Sequence, residues 1–254
     1  MYFLFFDNPS NFWSDFFTNI AASLAYTCAV FFIAWSVIIR KRVKLLKFFG
    51  IVKQKKLSIF LSDIHVTHGG AIGVDGERRN FSGPAFAYAE NKVALMLKDI
   101  FNYILPSVSE SPSILSKIFI SDVTINIDLV NPAIPDDVLL QESFIAVGSS
   151  AFNRAAVLLE QTSKTNFTNG YTSIKYDNNT YTGQYGFIEK ILINNTVYFY
   201  IAGITEFATI GSTYYLKENW HKLCSMFNGE FTIVLLFPDN DNYRKSQTII
   251  QKEN

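Results

Sequence analysis

The chain has 254 residues, 49% of them hydrophobic and 16% aromatic, and its 22 basic and 22 acidic side chains cancel at neutral pH. The balance is uneven: residues 57–254 carry 14 Lys or Arg against 20 Asp or Glu, a net of −6. An acidic soluble part argues against general nucleic-acid binding, which needs a basic face to neutralise phosphates. Two cysteines, Cys28 and Cys224, are too few and too far apart for a disulfide scaffold.

Residues 1–19 form a short lead-in rich in aromatic side chains (Phe5, Phe6, Trp13, Phe16, Phe17), which suit a membrane interface. From Ile20 to Ile39 there are twenty consecutive residues without a charge. At about 1.5 Å per residue a helix of this length covers the roughly 30 Å hydrocarbon core. Lipid offers the backbone no hydrogen-bond partners, so the segment is predicted to be a transmembrane helix. Residues 40–56 then carry Arg40, Lys41, Arg42, Lys44, Lys47, Lys53, Lys55 and Lys56. Positive charge stays on the cytoplasmic side, so a single-pass cell-membrane protein with its N-terminus outside and its C-terminal domain cytoplasmic is expected. A signal peptide would show a basic start and a small-residue cleavage site, and neither is visible. Within the basic segment Val43, Leu45, Leu46, Phe48 and Phe49 alternate with lysine, as an interfacial helix or a simple stop-transfer signal would.

Residues 57–238 have the length of one domain, followed by a polar tail, 239–254, expected to be loosely ordered. Lys56–Val66 reads as a strand, and a glycine-rich stretch from Gly69 to Gly83 follows. Apolar residues at helical spacing mark Pro84–Leu105, stopped by Pro106. Ile118–Leu129 reads as a second strand and Ser143–Val147 as a third, with a helix running from Gly148-Ser149-Ser150 through Leu159. Gly186–Ile193 and Thr196–Ala202 read as strands joined at Asn194-Asn195. Beyond Gly203-Ile204-Thr205 the sequence suggests a loop containing Gly211-Ser212-Thr213, a helix over Tyr214–Phe227, and a buried strand over Phe231–Phe237. Alternating helices and short, fully apolar strands predict a three-layer, Rossmann-like α/β domain with a mixed, mainly parallel sheet.

Ligands of open α/β sheets bind beyond the carboxyl ends of the strands, where two glycine-marked crests are expected. The first holds Gly148, Ser149, Ser150, Asn153 and Arg154, whose amides, hydroxyls and charge suit an anion; a capped strand-to-helix turn would use the same residues. The second holds Gly203, Thr205 and Glu206, continued by Gly211, Ser212 and Thr213. Neither has the Gly-Lys-Ser/Thr of a triphosphate loop or the Gly-x-Gly-x-x-Gly of a dinucleotide fold. Leu61-Ser62-Asp63-Ile64-His65 looks like the opening of a calcineurin-like metallophosphoesterase, but the later metal-binding motifs are missing and no metal site is assigned. Glu90, in the first predicted helix, and Glu206 are the candidate acid/base carboxylates. No motif assigns a cofactor or an oligomeric state.

One apolar span, a strand ending in Gly148-Ser149-Ser150-x-x-Asn153 and the later Gly203…Gly211-Ser212-Thr213 resemble membrane-tethered prokaryotic Rossmann-like proteins of conflict (anti-phage) systems. That resemblance implies a nucleotide-type ligand in the cytosol and an output at the membrane. In the NAD-cleaving relatives a helix-borne glutamate does the chemistry, and Glu90 is the nearest match. Three functions therefore compete: a membrane-anchored sensor of a nucleotide or related phosphorylated molecule, a nucleotide- or NAD-cleaving hydrolase using Glu90 or Glu206, and a non-catalytic membrane scaffold.

Overall fold

The apolar N-terminal run forms one helix, α1, over Pro9–Phe48 in the computed structural model. The structure describes the backbone of residues 9–51, 56–62, 65–67, 70–72, 78–79, 83–102, 124–128, 134–239 and 242–253; side chains are described from residue 13, excluding 65–88, 90 and 102. The chain divides into two compact units, residues 1–43 and 44–254. The first unit is helical throughout its described length. Its Trp13–Phe48 stretch, which continues into the second unit, is long and apolar enough to cross a membrane by length and composition. Side chains such as Phe32 and Ile33 are about two-thirds exposed (65% and 67%), as an apolar surface turned outward requires. The hydroxyls of Thr18 and Thr27 donate to the carbonyls of Ser14 and Ser23, both at 2.8 Å, so neither needs water.

The second unit begins inside the basic segment. Leu45, Phe48, Phe49 and Ile51 are buried, while Lys44 and Lys47 on the same turns stay exposed. Helix α1 ends in a left-handed glycine cap: Gly50 has φ +73°, the Ile51 amide reaches the Leu46 carbonyl at 2.8 Å, and the Gly50 amide reaches Lys47 at 3.2 Å. That turn drops Phe48 onto Phe199 and Phe231 and Phe49 onto Phe101 and Phe199. The apolar residues between the lysines are core side chains of the second unit, so a bare stop-transfer role understates them.

Its main sheet has seven strands: β1 (Lys56–Phe60), β5 (Thr124–Asp128), β6 (Phe144–Val147), β10 (Tyr185–Ile193), β11 (Thr196–Gly203), β12 (Phe231–Leu236) and β13 (Gln247–Glu253). Their order is β13-β12-β10-β11-β6-β1-β5. β5, β1, β6 and β11 pair in parallel, whereas β10, β12 and β13 join antiparallel, which gives the mixed, mainly parallel α/β sheet. Two small three-stranded sheets complete the strands: β2 (His65–Thr67), β3 (Gly70–Ile72) and β4 (Arg78–Arg79), then β7 (Thr165–Thr168), β8 (Ser173–Tyr176) and β9 (Asn179–Thr182). The hairpin at Asn194-Asn195 has φ of +52° and +63°, the left-handed pair that a tight turn between twisted strands needs.

Successive residues of the central strands enter opposite cores. Ile145 and Val147 join Phe199 and Ile201 on one face, and Phe144 and Ala146 join Tyr198 and Tyr200 on the other. The first face is covered by the end of α1, by α2 (Gly83–Asn102) and by α5 (Glu206–Met226), with Lys217 on α5 paired to Asp99 on α2 at 2.8 Å. On the second face lie α3 (Asp136–Leu139), α4 (Arg154–Glu160) and the β7–β9 sheet. Glu189 ties that small sheet down: its buried carboxylate accepts from the Lys164 amide at 2.8 Å and from the Ser163 hydroxyl.

Three expectations change. The strand read over Lys56–Val66 ends at Phe60, and Val66 belongs to β2. The tail read as loosely ordered contains β13, which pairs along β12 from Phe231↔Glu253 to Leu236↔Gln247. Its alternation is too polar to announce a strand, because an edge strand faces solvent and β12 supplies the hydrogen bonds. Gly211-Ser212-Thr213 is no loop, since α5 starts at Glu206 and runs through it. A Cβ on Gly211 would stand 2.3 Å from the Phe237 ring, and one on Gly186 would stand 2.3 Å from the Ser212 hydroxyl. Small residues here let the helix lie close against the sheet.

Candidate functional site

From β1 the chain moves to β5 on one side and then to β6 on the other. The boundary between β1 and β6 is therefore where the sheet order reverses, and the carboxyl ends of both strands meet there. The register aligns Phe60 with Ala146 and Ile201 with Val147, so the residues after β1, β6 and β11 emerge side by side.

Asn153 organises the first crest from below. Its side-chain oxygen caps α4 by accepting from the amides of Ala155 at 2.9 Å and Ala156 at 3.4 Å. Its amide nitrogen donates to the carbonyls of Phe60 at 2.9 Å and Val147 at 2.8 Å, which lie at the ends of β1 and β6. With both ends of the side chain engaged and 1% of the residue exposed, Asn153 is a lock between strands and leaves nothing for a base or ribose. Gly148 has φ +89°, and a Cβ there would lie 2.3 Å from the Ser62 hydroxyl. Ser62 itself reaches the Val147 carbonyl at 3.4 Å. Arg154 is ion-paired with Asp136 of α3, so its charge is already neutralised.

The amides above this lock are different. Gly148 donates to Ile201 at 2.9 Å, and Phe152 and Asn153 both donate to the Ser149 carbonyl at 3.1 Å. Among the described residues the backbone N–H groups of Ser149 and Ala151 reach no acceptor, and that of Ser150 is turned to the Tyr200 phenol oxygen. Asn153 and Ser62 have taken the strand-end carbonyls, which leaves a short arc of donors. Successive amides of this kind make a concavity suited to an anion. Ser150 and Ala151 are buried, Ser149 is half-exposed, and the Ser150 hydroxyl donates to the Tyr171 phenol oxygen at 3.4 Å.

The second crest emerges beside the first but keeps little of its own for a ligand. A Cβ on Gly203 would fall 2.6 Å from Ala208, so this glycine serves the contact with α5. Thr205 caps α5 by accepting from the Ala208 amide at 3.2 Å and donates to Gln184 at 2.5 Å. The Ile204 amide is held by the Tyr185 carbonyl at 2.9 Å. Glu206 opens the helix, where negative charge is favoured, and partial burial raises its carboxyl above the ordinary value. Gly211, Ser212 and Thr213 belong to the buried face of α5, with the Thr213 hydroxyl on the Thr209 carbonyl. Glu90 lies within α2, and its side chain falls outside the described residues, as do Asp63 and the side chain of His65.

Sequence reasoning missed Ser62, Gln184, Tyr171 and Tyr200. Tyr200 occupies a strand that reads as uniformly apolar, and no linear spacing links Tyr171 to Ser150. No family model, curated protein or solved structure matches this chain.

Proposed function

We propose that this chain is a membrane-anchored α/β module whose first crest binds the phosphate of a nucleotide or related phosphorylated ligand, as a sensor or signalling component of a defence system. Supporting this reading above all are the amides of Ser149 and Ala151, which reach no acceptor among the described residues, at the switch between β1 and β6. A Rossmann-like, three-layer description of the second unit agrees with a ligand at that edge. The basic block after the apolar helix supports an orientation with the N-terminus outside and the crest facing the cytoplasm.

The test uses the full chain in detergent micelles, titrated calorimetrically with a panel of nucleotides, NAD and pyrophosphate. Ser149→Asp puts a carboxylate among the free amides from a half-exposed position. It is expected to weaken binding at least about tenfold through like-charge repulsion. If no member of the panel binds the wild-type chain, the reading fails.

One observation favours a second reading, the nucleotide- or NAD-cleaving hydrolase. Glu206 sits at the same sheet edge with a carboxyl raised by burial, the direction a general acid requires. Product formation that Glu206→Gln abolishes would support it.

A further inference from the structure

Beneath these amides lies a buried phenol whose proton has no acceptor among the described residues. Tyr200, on the second face of β11, is fully buried, and its hydroxyl forms no well-aligned hydrogen bond. The Ser150 amide and hydroxyl are turned to its oxygen, which leaves its own proton unused, and Tyr171 and Glu160 lie close by. Burial holds its acidity far below that of a free phenol, so it keeps its proton and remains a donor. A buried donor without an acceptor is costly and uncommon in folded proteins.

What covers it is unusual in its backbone. Asn169, Gly170 and Tyr171 have φ of +53°, +65° and +69°, three consecutive left-handed residues in the turn between β7 and β8. An aromatic residue rarely adopts this conformation. Here it lays the Tyr171 ring on Ala151, Phe152 and Phe167 and brings its phenol to Ser150 at 3.4 Å. The turn itself is surface chain: Asn169 and Gly170 are exposed and Tyr171 is half-buried.

We propose that Tyr200, braced by the Ser150 amide, donates from below to an oxyanion held by the amides of Ser149 and Ala151, and that Tyr171 is a hinged cover over that cradle. The inference rests on the phosphate reading of the first crest and adds its buried donor and its gate. The ligand group is a phosphate-like oxyanion, because the Ser149 and Ala151 amides and the Tyr200 hydroxyl are donors, while the nearby Glu160 carboxylate accepts from the Phe167 amide at 3.0 Å. Tyr171 swings out with its turn to admit the anion and closes afterwards over Ser150.

The experiment measures binding of pyrophosphate and ATP to the full chain in micelles, by calorimetry and stopped-flow tyrosine fluorescence. Tyr200→Phe keeps the ring and removes only the hydroxyl. It is expected to weaken pyrophosphate binding about tenfold, as loss of a hydrogen bond to a charged group does, while the melting temperature holds or rises. Tyr171→Ala is expected to speed association several-fold; Tyr171→Phe, which keeps the packing, separates cover from fold. If Tyr200→Phe binds like the wild type while Ser149→Asp does not bind, the buried-donor role is overturned and the crest reading stands. Association unchanged by Tyr171→Ala overturns the cover. A wild-type chain that binds neither probe overturns both the inference and the crest reading.

Discussion

The turns after β6 and β11 start alike, each with a glycine at the end of an apolar parallel strand, a hydroxyl residue within the next two positions and then a helix. They differ in where their polar groups go. After β11 the Thr205 hydroxyl bridges the Ala208 amide and Gln184, the Ile204 amide is bound, and Glu206 supplies negative charge at the helix start. After β6 the capping residue comes later, at Asn153, and reaches back to two strand-end carbonyls. Among the described residues the amides of Ser149 and Ala151 are therefore left over. A glycine crest becomes a site through what its cap leaves unsatisfied, and its residue types alone do not decide the matter.

That contrast can be broken most forcefully at Asn153. Asn153→Ala removes the α4 cap and strands the buried carbonyls of Phe60 and Val147, an expected loss of about 3 kcal/mol in denaturant unfolding. Asn153→Asp keeps the cap but sets a carboxylate oxygen against those carbonyls, so it should recover only part of the loss. A near-neutral Asn153→Ala would mean that the lock beneath the crest contributes little. Gly211→Ala is expected to cost about 2 kcal/mol, because its Cβ collides with the buried Phe237 ring, and to leave affinity per folded molecule unchanged. Selective loss of ligand binding in that variant would restore the second crest as a binding element. Ser149→Asp should lie at the other extreme, with stability within about 0.5 kcal/mol of wild type and binding impaired.

The smallest effect concerns pH. Burial raises the Glu189 carboxyl above its ordinary value, partly offset by hydrogen bonds from Ser163 and the Lys164 amide. The folded state thus holds this proton more tightly than the unfolded state. Its contribution is fully present below the unfolded value of about 4.3 and is lost as pH rises through the raised value. Urea unfolding at a series of pH values should show stability falling across that window, and Glu189→Gln should flatten the fall. Glu206, raised for the same reason, adds a weaker trend of the same sign. A stability that instead climbs through this window would show that the carboxylate form of Glu189 is the favoured one.

Periodicity along the chain was a good guide wherever one element carries its own signal. The charge-free run, the apolar strands around Ser143–Val147 and Phe231–Phe237, and the Asn194-Asn195 hairpin all lie where their residues place them. It misled where neighbours decide. Gly211-Ser212-Thr213 resembles a loop because small polar residues are poor helix formers, yet close packing against Phe237 and Gly186 favours them inside α5. The lysine-flanked Leu45, Phe48 and Phe49 resemble a membrane-surface segment, yet their apolar faces fill the core beneath β11 and β12.

By itself the amino-acid order determined an apolar helix long enough for a bilayer, a basic collar after it, an acidic α/β part and a glycine after β6. These follow from local hydropathy, charge and backbone conformational freedom. Strand order, the reach of Asn153 across two strand ends, the freedom of the Ser149 and Ala151 amides and the meeting of Tyr171 with Ser150 above Tyr200 were decided only in three dimensions. A hydrogen-bonding group is free or engaged according to what long-range pairing brings beside it, and residues 21 to 93 positions apart make those contacts here.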